Sequence, residues 1–174
     1  MLVVKKFGGT SVADKDRIYN VARRCIEEYK KGNQVVVVLS AMGKQTDVLI
    51  DMAKSISPNP SKREMDMLYT TGEQTSVALA AMAINELGVP AVSLNAFQVA
   101  MKTTAVYGNA RLKRIDTERI RYELSNNKIV LVTGLITQYS LSIFITPPYR
   151  SCLIHGTCKV LLTRSATPLT GLSF

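Results

Sequence analysis

An uninterrupted apolar run at residues 35–39, four valines and a leucine, constrains the fold more than any other stretch of the sequence. A strand that is apolar on both faces is typical of the centre of a parallel sheet with helices on both sides. The run follows an apolar strand at residues 2–6 and a segment at residues 12–31 whose apolar residues recur at helical spacing. This strand–helix–strand order predicts an α/β fold with a mainly parallel sheet.

Later segments extend the same pattern. Residues 91–94 and 128–133 are apolar and are predicted to be further strands, and residues 111–115 a short one. Between the second and third strands, Thr46 or Asp47 is positioned to cap a helix. The predicted apolar face of that helix consists of Val48, Leu49, Met52, Ala53 and Ile56.

The turn between the first strand and the first helix contains Gly8 and Gly9, with Lys6 just before them. Two adjacent glycines let the backbone approach a ligand closely and tolerate positive φ. Thr10 or Ser11 can cap the helix, whose free N–H groups attract an anion, and Lys6 adds a point charge. The turn predicts a site for a small anion such as phosphate, with a purely structural turn as the alternative.

The loop at residues 40–47 follows the central strand. Ligands gather at the carboxyl ends of strands in open α/β sheets, so this loop is expected to lie near the Lys6 turn. The loop does not form a Walker P-loop, because Val38 stands where that motif requires a glycine.

Glu73 is an acid in a glycine-containing stretch, flanked by small polar residues and followed by a largely apolar helix. Ser61 and Glu64 have the spacing of a capping box that starts a helix, and residues 70–74 are expected to interrupt that helix. If Glu73 lies in the first turn of the next helix, it complements the helix dipole by about 0.3–1 kcal/mol. Alternatively, it holds a cationic group of a substrate. The residue types alone leave both possibilities open.

The composition narrows the class of protein. The net charge of +9 would suit a nucleic-acid partner, but the basic residues are spread along mixed-charge helices and are not interleaved with aromatic ones. The three cysteines lack paired metal spacing, and a single histidine excludes a multi-histidine metal site. No apolar stretch is long enough for a membrane span, and the N-terminus lacks an export signal. We therefore expect a cytoplasmic protein that binds a small anionic molecule, not nucleic acid or membrane.

The composition changes near position 135. Residues 135–174 contain no Asp or Glu, whereas residues 1–134 contain all 13 acidic residues. The later segment also lacks a clear helical or strand period. We expect residues 1–134 to form the domain and residues 135–174 to be a divergent, poorly ordered tail, of the kind that a frameshift or truncation produces. The alternative is short strands near residues 141–145 and 159–162 that cover an open sheet edge.

Four motifs mark the predicted strand ends and helices. They are Lys6-Phe7-Gly8-Gly9-Thr10-Ser11, Val-Val-Val-Leu-Ser-Ala-Met-Gly at residues 36–43, Glu-Met-Asp-Met-Leu at residues 64–68, and Thr71-Gly72-Glu73-Gln74. Together they resemble the aspartokinases of the amino-acid kinase family, and the resemblance continues to Gly134. It implies a three-layer αβα sandwich, incomplete here, and an enzyme that transfers phosphate from ATP, with Mg²⁺, to the β-carboxylate of L-aspartate. That reaction begins lysine, threonine and methionine biosynthesis.

The resemblance also implies roles for individual residues. Lys6 would be the catalytic cation that neutralises the phosphates during transfer. The implied phosphate- and ATP-binding residues are Lys6, Gly8, Gly9 and Thr10. The implied aspartate contacts are Ser40, Thr46 and Glu73, with Glu73 at the amino group of the substrate. Metal ligands are not assigned.

The sequence departs from the family after Gly134. The family continues into a Gly-Arg-Gly-Gly-Ser-Asp motif, a second catalytic lysine, an adenine pocket and regulatory domains that build a homo-oligomer, and residues 135–174 contain none of these. Such a chain is expected to be weakly active or inactive, because losing one transition-state stabiliser costs orders of magnitude in rate. Two alternatives are a non-catalytic fragment that pairs with a complementary chain, and another amino-acid kinase.

Overall fold

The computed structural model describes residues 1–134 and 159–161. In this part of the chain, the main-sheet strands are β1 (Leu2–Phe7), β2 (Gln34–Leu39), β3 (Ala91–Leu94), β6 (Ile129–Thr133) and β7 (Lys159–Leu161). A separate antiparallel ribbon pairs β4 (Lys102–Thr103) with β5 (Leu112–Arg114). The main sheet has the order β3-β6-β2-β1-β7, and every pairing in it is parallel. The predicted α/β class and the parallel sheet are confirmed.

The register of the sheet aligns the carboxyl ends of its strands. Phe7 of β1 lies opposite Leu39 of β2, and Leu39 lies opposite Thr133 of β6. On the far side of β6, Leu94 of β3 lies opposite Val132. The segments that follow these four strands therefore emerge at one edge of the sheet, which we call the carboxyl edge.

Helices cover both faces of the sheet, and the result is a three-layer arrangement. The helices of the described residues are α1 (Lys15–Lys30), α2 (Gln45–Ile56), α3 (Lys62–Glu86) and α4 (Glu118–Ser125). Side chains of α1 and α3 pack with Val35, Val37 and Leu39 on one face. Side chains of α4 pack with Val36 and Val38 on the other face. The alternation along β2 explains why residues 35–39 are all apolar.

Two predicted helix starts are wrong and one is confirmed. Neither Thr10 nor Ser11 caps α1: Gly9–Val12 forms a 3-10 turn, and the Asp14 side chain instead accepts a bond from the backbone N–H of Arg17 at 2.9 Å. Thr46 and Asp47 lie inside the first turn of α2, which has no side-chain cap. The predicted Ser61 cap of α3 is present, because its hydroxyl accepts the backbone N–H of Glu64.

The apolar face predicted for α2 is mostly exposed. Only Leu49 of that helix is buried, whereas Val48, Met52 and Ile56 are exposed. The predicted helix is therefore confirmed, but only a narrow side of α2 packs against the rest of the protein. The reason is that α2 packs against α3 rather than directly on the sheet.

The segment after residue 134 contributes one described strand. β7 pairs in parallel with β1, with Val3 opposite Lys159 and Lys5 opposite Leu161. A strand in this region was the alternative expectation for residues 159–162. The expectations for residues 135–158 and 162–174 lie outside the described residues. Among the helices that the structure describes, none has the length and hydropathy required to span a bilayer.

A buried carboxylate on α4, Glu123, is bonded to Lys128, the residue just before β6, and its contacts lead to a pH prediction. Glu123 accepts bonds at 2.8 Å from Lys128 Nζ and from Arg119 Nε. The bond from Lys128 is the main cause that lowers the pKa of Glu123. Because its native pKa is lowered, the carboxylate stabilises the fold above its unfolded pKa, and this contribution is lost as pH falls through the native pKa.

We therefore expect Glu123→Gln to be less stable than the unchanged chain at pH 7, with the difference shrinking as pH falls below about 4.5. Urea unfolding between pH 3 and pH 7 measures both free energies of unfolding. Glu118→Gln removes an exposed carboxylate from the same helix and is the matched control. A stability difference for Glu123→Gln that is constant over this pH range would contradict the assignment.

Candidate functional site at the carboxyl edge

The turn after β1 is shaped by close packing rather than by positive φ. Gly8 has an extended backbone, with φ −77° and ψ 169°, and Gly9 is also outside the left-handed region. A Cβ at Gly9 would lie 2.4 Å from the carbonyl oxygen of Ala41, whereas a Cβ at Gly8 would have no atom within 4 Å. Gly9 is therefore required by the fold, while Gly8 leaves the space in front of the turn open.

The loop after β2 is fixed directly to this turn. The backbone N–H of Ser40 donates to the carbonyl oxygen of Phe7 at 3.3 Å. The backbone N–H of Gly43 donates to the carbonyl oxygen of Gly9 at 2.9 Å. Gly43 has φ +45°, a conformation that favours glycine. The prediction that the loop at residues 40–47 lies beside the Lys6 turn is met by these two bonds.

Two consecutive lysines of β1 have different environments. Lys5 is buried and donates to the carbonyl oxygen of Arg24 at 2.9 Å, with Glu28 at 3.5 Å. Lys6 projects from the opposite face of β1, is partly exposed, and has no ion pair among the described residues. Lys5 thus serves the fold, and Lys6 keeps its ammonium group available at the carboxyl edge.

The charge of Lys5 is balanced beneath α1. Hydrogen bonding from Lys31 is the main cause that lowers the pKa of Glu28, and Lys5 contributes to the same shift. Burial raises the pKa of the neighbouring Cys25 thiol to about 12, so Cys25 is a neutral core residue rather than a nucleophile.

Two residues that stabilise the turn were not identified from the sequence. Arg17 Nη1 donates to the carbonyl oxygen of Thr10 at 2.6 Å, and Arg17 Nε pairs with Asp14 at 3.2 Å. Thr10 itself is exposed at the turn. The sequence signal for the true helix start is Asp14, a good N-cap residue that lies just before the periodic apolar positions.

Glu73 lies within a continuous helix. The predicted interruption at residues 70–74 is wrong, because α3 runs unbroken from Lys62 to Glu86. The first-turn role for Glu73 is therefore wrong as well. Gly72 instead provides close packing, since a Cβ there would lie 3.1 Å from Ala41 Cβ and 3.4 Å from Gln45 Cγ.

This packing brings α3 against the loop after β2. Glu73 follows Gly72 on α3; its side chain is half-buried, and its Oε2 atom is buried. Ser40 is also half-buried, whereas Thr46 is exposed on the first turn of α2. Gly134 completes the edge, donating its N–H to the carbonyl oxygen of Leu39 at 2.8 Å. The carboxyl edge thus brings together the Lys6 turn, the open space at Gly8, the loop that contains Ser40 and the part of α3 at Gly72.

The sequence matches the model of the amino acid kinase family over residues 1–146. The chain belongs to the amino acid kinase family. It is 58% identical over 133 residues to the aspartokinase of Bacillus sp. (strain MGA3), covering 76% of this chain and 32% of that protein. It is 53% identical over 133 residues to aspartokinase 2 of Bacillus subtilis (strain 168), covering 76% of this chain and 33% of that protein. The chain therefore spans about a third of the length of the curated relatives that it matches.

Solved structures of the family agree with this fold. The aspartate kinase from Synechocystis has a TM-score of 0.65 and 46% identity, over 77% of this chain and 22% of that chain. The E. coli aspartokinase III complex with aspartate and ADP has a TM-score of 0.66 over 76% of this chain and 40% of that chain, and its 21% identity supports the fold alone. The resemblance to aspartokinases inferred from four motifs is confirmed.

The two glycines of the turn generate a stability prediction. We expect Gly9→Ala to lower the free energy of unfolding by about 1–3 kcal/mol, because its Cβ would press on the Ala41 backbone oxygen. Gly8→Ala should be neutral or stabilise by up to about 1 kcal/mol, because its backbone is extended and its surroundings are open. Urea unfolding of both variants measures the contrast. Equal destabilisation by the two substitutions would refute this description of the turn.

Proposed function

We propose that residues 1–134 carry the phosphate-transfer turn and the aspartate-binding elements of an aspartate kinase. The reaction is transfer of the γ-phosphoryl group of ATP to the β-carboxylate of L-aspartate, which gives aspartyl β-phosphate. Such a transfer depends on positioning and charge neutralisation more than on covalent catalysis. The observation that carries the proposal is the packing of Gly72 on the loop after β2, which brings α3 to the edge where the Lys6 turn lies.

The phosphate side of the site consists of Lys6 and the turn that follows it. Lys6 provides a positive charge that no acidic side chain of the described residues neutralises through an ion pair. The open space at Gly8 allows a phosphate group to approach the backbone closely. Lys6, Gly8, Gly9 and Thr10 are the residues that we assign to the phosphates of ATP.

The aspartate side consists of Ser40, Thr46 and Glu73. A half-buried carboxylate is suited to hold the ammonium group of an amino acid, because a charge-assisted hydrogen bond is about twice as strong as a neutral one. The hydroxyl groups of Ser40 and Thr46 can donate to the carboxylates of the substrate. The relatives named aspartokinase support aspartate over other amino acids as the substrate.

Mg²⁺ is proposed to arrive with the nucleotide. Among the described residues, no three His, Cys, Asp or Glu side chains form a group suited to hold a metal ion. Mg²⁺ is commonly bound through the phosphates of the substrate, with few ligands from the protein. A site made mainly by protein side chains is therefore not required for it. We assign no step of the reaction to residues that hold the metal. A cytoplasmic location accords with the free, buried thiol of Cys25.

Aspartate binding tests the role of Glu73. We expect Glu73→Gln to raise the Kd for L-aspartate at least tenfold, because the ammonium group loses its charged partner. Glu64→Gln removes an exposed carboxylate from the first turn of α3 and should change the Kd less than twofold. Isothermal titration with L-aspartate, and with L-glutamate as a competing amino acid, measures these constants.

Tighter binding of L-glutamate than of L-aspartate would reassign the substrate, and an unchanged Kd in Glu73→Gln would remove Glu73 from the site.

For the 174-residue chain assayed alone with MgATP and aspartate, we expect less than about 1 turnover per second, because its sequence lacks the Gly-Arg-Gly-Gly-Ser-Asp motif of the family. Faster turnover would contradict the account of the missing motif.

A further inference from the structure

The ribbon formed by β4 and β5 concentrates positive charge at a bulge. Lys102 lies directly opposite Arg114, and Thr103 lies opposite Leu112, so Lys113 is the extra residue on β5. All three basic side chains are exposed. Directly opposed residues of antiparallel strands have Cβ atoms about 4.5–5.5 Å apart, and like charges there are destabilising. The pairing of Lys102 with Arg114 therefore costs stability and requires an explanation.

No carboxylate of the described residues offsets this cost through an ion pair with the three basic residues. Residues 87–115 contain four Lys or Arg and no Asp or Glu, and the next acids along the chain, Asp116 and Glu118, form no ion pair with the three basic residues. Residues 135–174 also contain neither acid. The charge of the ribbon is thus a property of the sequence as well as of the fold.

Backbone contacts hold the ribbon in place. The N–H of Gly108, at its tip, donates to Asp66 Oδ2 of α3 at 2.8 Å. Thr104 and Arg111 are joined by two bonds, of 2.8 and 2.9 Å, that close the loop between the strands. At the base, the N–H of Asp116 donates to the carbonyl oxygen of Val99 at 3.2 Å. The basic side chains are therefore presented from an anchored element, and bulges frequently occur next to functional sites.

We propose that this ribbon binds an oligophosphate anion, either an inorganic oligophosphate or the phosphate chain of a nucleotide. Three exposed basic residues at neighbouring positions of one ribbon favour a ligand with several negative charges over a single carboxylate. The guanidinium of Arg114 can bind phosphate oxygens in a bidentate manner, and Lys102 and Lys113 add point charges. The site is built on different elements from the Lys6 turn, and it does not rest on the proposed aspartate kinase function.

Inorganic tripolyphosphate is the probe that tests this site. We expect the double variant Lys102→Ala/Arg114→Ala to raise its Kd at least tenfold in a low-salt titration, with far-UV circular dichroism unchanged. Lys15→Ala/Lys30→Ala removes the same charge from exposed positions of α1 and should change the Kd less than twofold. Lys102→Arg keeps the charge and should retain binding. ATP and adenosine, titrated in parallel, distinguish a nucleotide from its phosphate chain.

If both double variants weakened tripolyphosphate binding equally, the loss would be explained by the lower net charge alone, and the proposal would be overturned. Loss of tripolyphosphate binding in Lys6→Ala but not in the ribbon variant would place the anion at the Lys6 turn instead. Tenfold tighter binding of single-stranded RNA than of tripolyphosphate would overturn the assignment to a small oligophosphate. Retained L-aspartate binding in the ribbon variant is expected, and it separates this proposal from the function proposed for the carboxyl edge.

Discussion

The parallel pairing of β2 with β1 and β6 is the constraint on which the rest of the structure depends. Residues of β2 are buried on both faces, and its register sets Phe7, Leu39 and Thr133 at one level. Shifting that register by one residue would exchange the side chains between the two helical layers. The same pairing brings the turn after β1, the loop after β2 and Gly134 together, so the core and the candidate site have a common origin.

Close backbone approaches then complete the carboxyl edge. Gly9 lies against the loop after β2, Gly72 lets α3 pack on the same loop, and Gly134 lies against the end of β2. In each case a Cβ would come within 2.4 to 3.1 Å of a neighbouring atom. These glycines provide close packing rather than unusual dihedral angles, whereas Gly8 has no such structural duty. The fold therefore requires a glycine at positions 9, 72 and 134, whereas only a bound ligand would require one at position 8.

Much of this arrangement could be predicted from the sequence. The apolar period identified β1, β2, β3 and β6, and the rule for strand carboxyl ends placed the loop after β2 beside the Lys6 turn. The errors came from local signals that tertiary packing overrides. Gly72 in the sequence favours a helix break, but in the structure its missing side chain allows α3 to pack closely on the loop after β2. No sequence pattern shows that Lys5 is buried against Glu28 while Lys6 remains available, because that depends on which face α1 covers.

The most direct test of the carboxyl edge as one ligand site is an NMR titration of the 15N-labelled chain with L-aspartate and MgATP. Glycine amides are the natural reporters, because they lie both at the edge and far from it. The account predicts chemical-shift changes that concentrate at Gly8, Gly9, Gly43 and Gly72. Gly32 and Gly88, which follow the ends of α1 and α3, should be unaffected. Shifts at these remote glycines without shifts at Gly8 and Gly9, or no shifts at all, would contradict it.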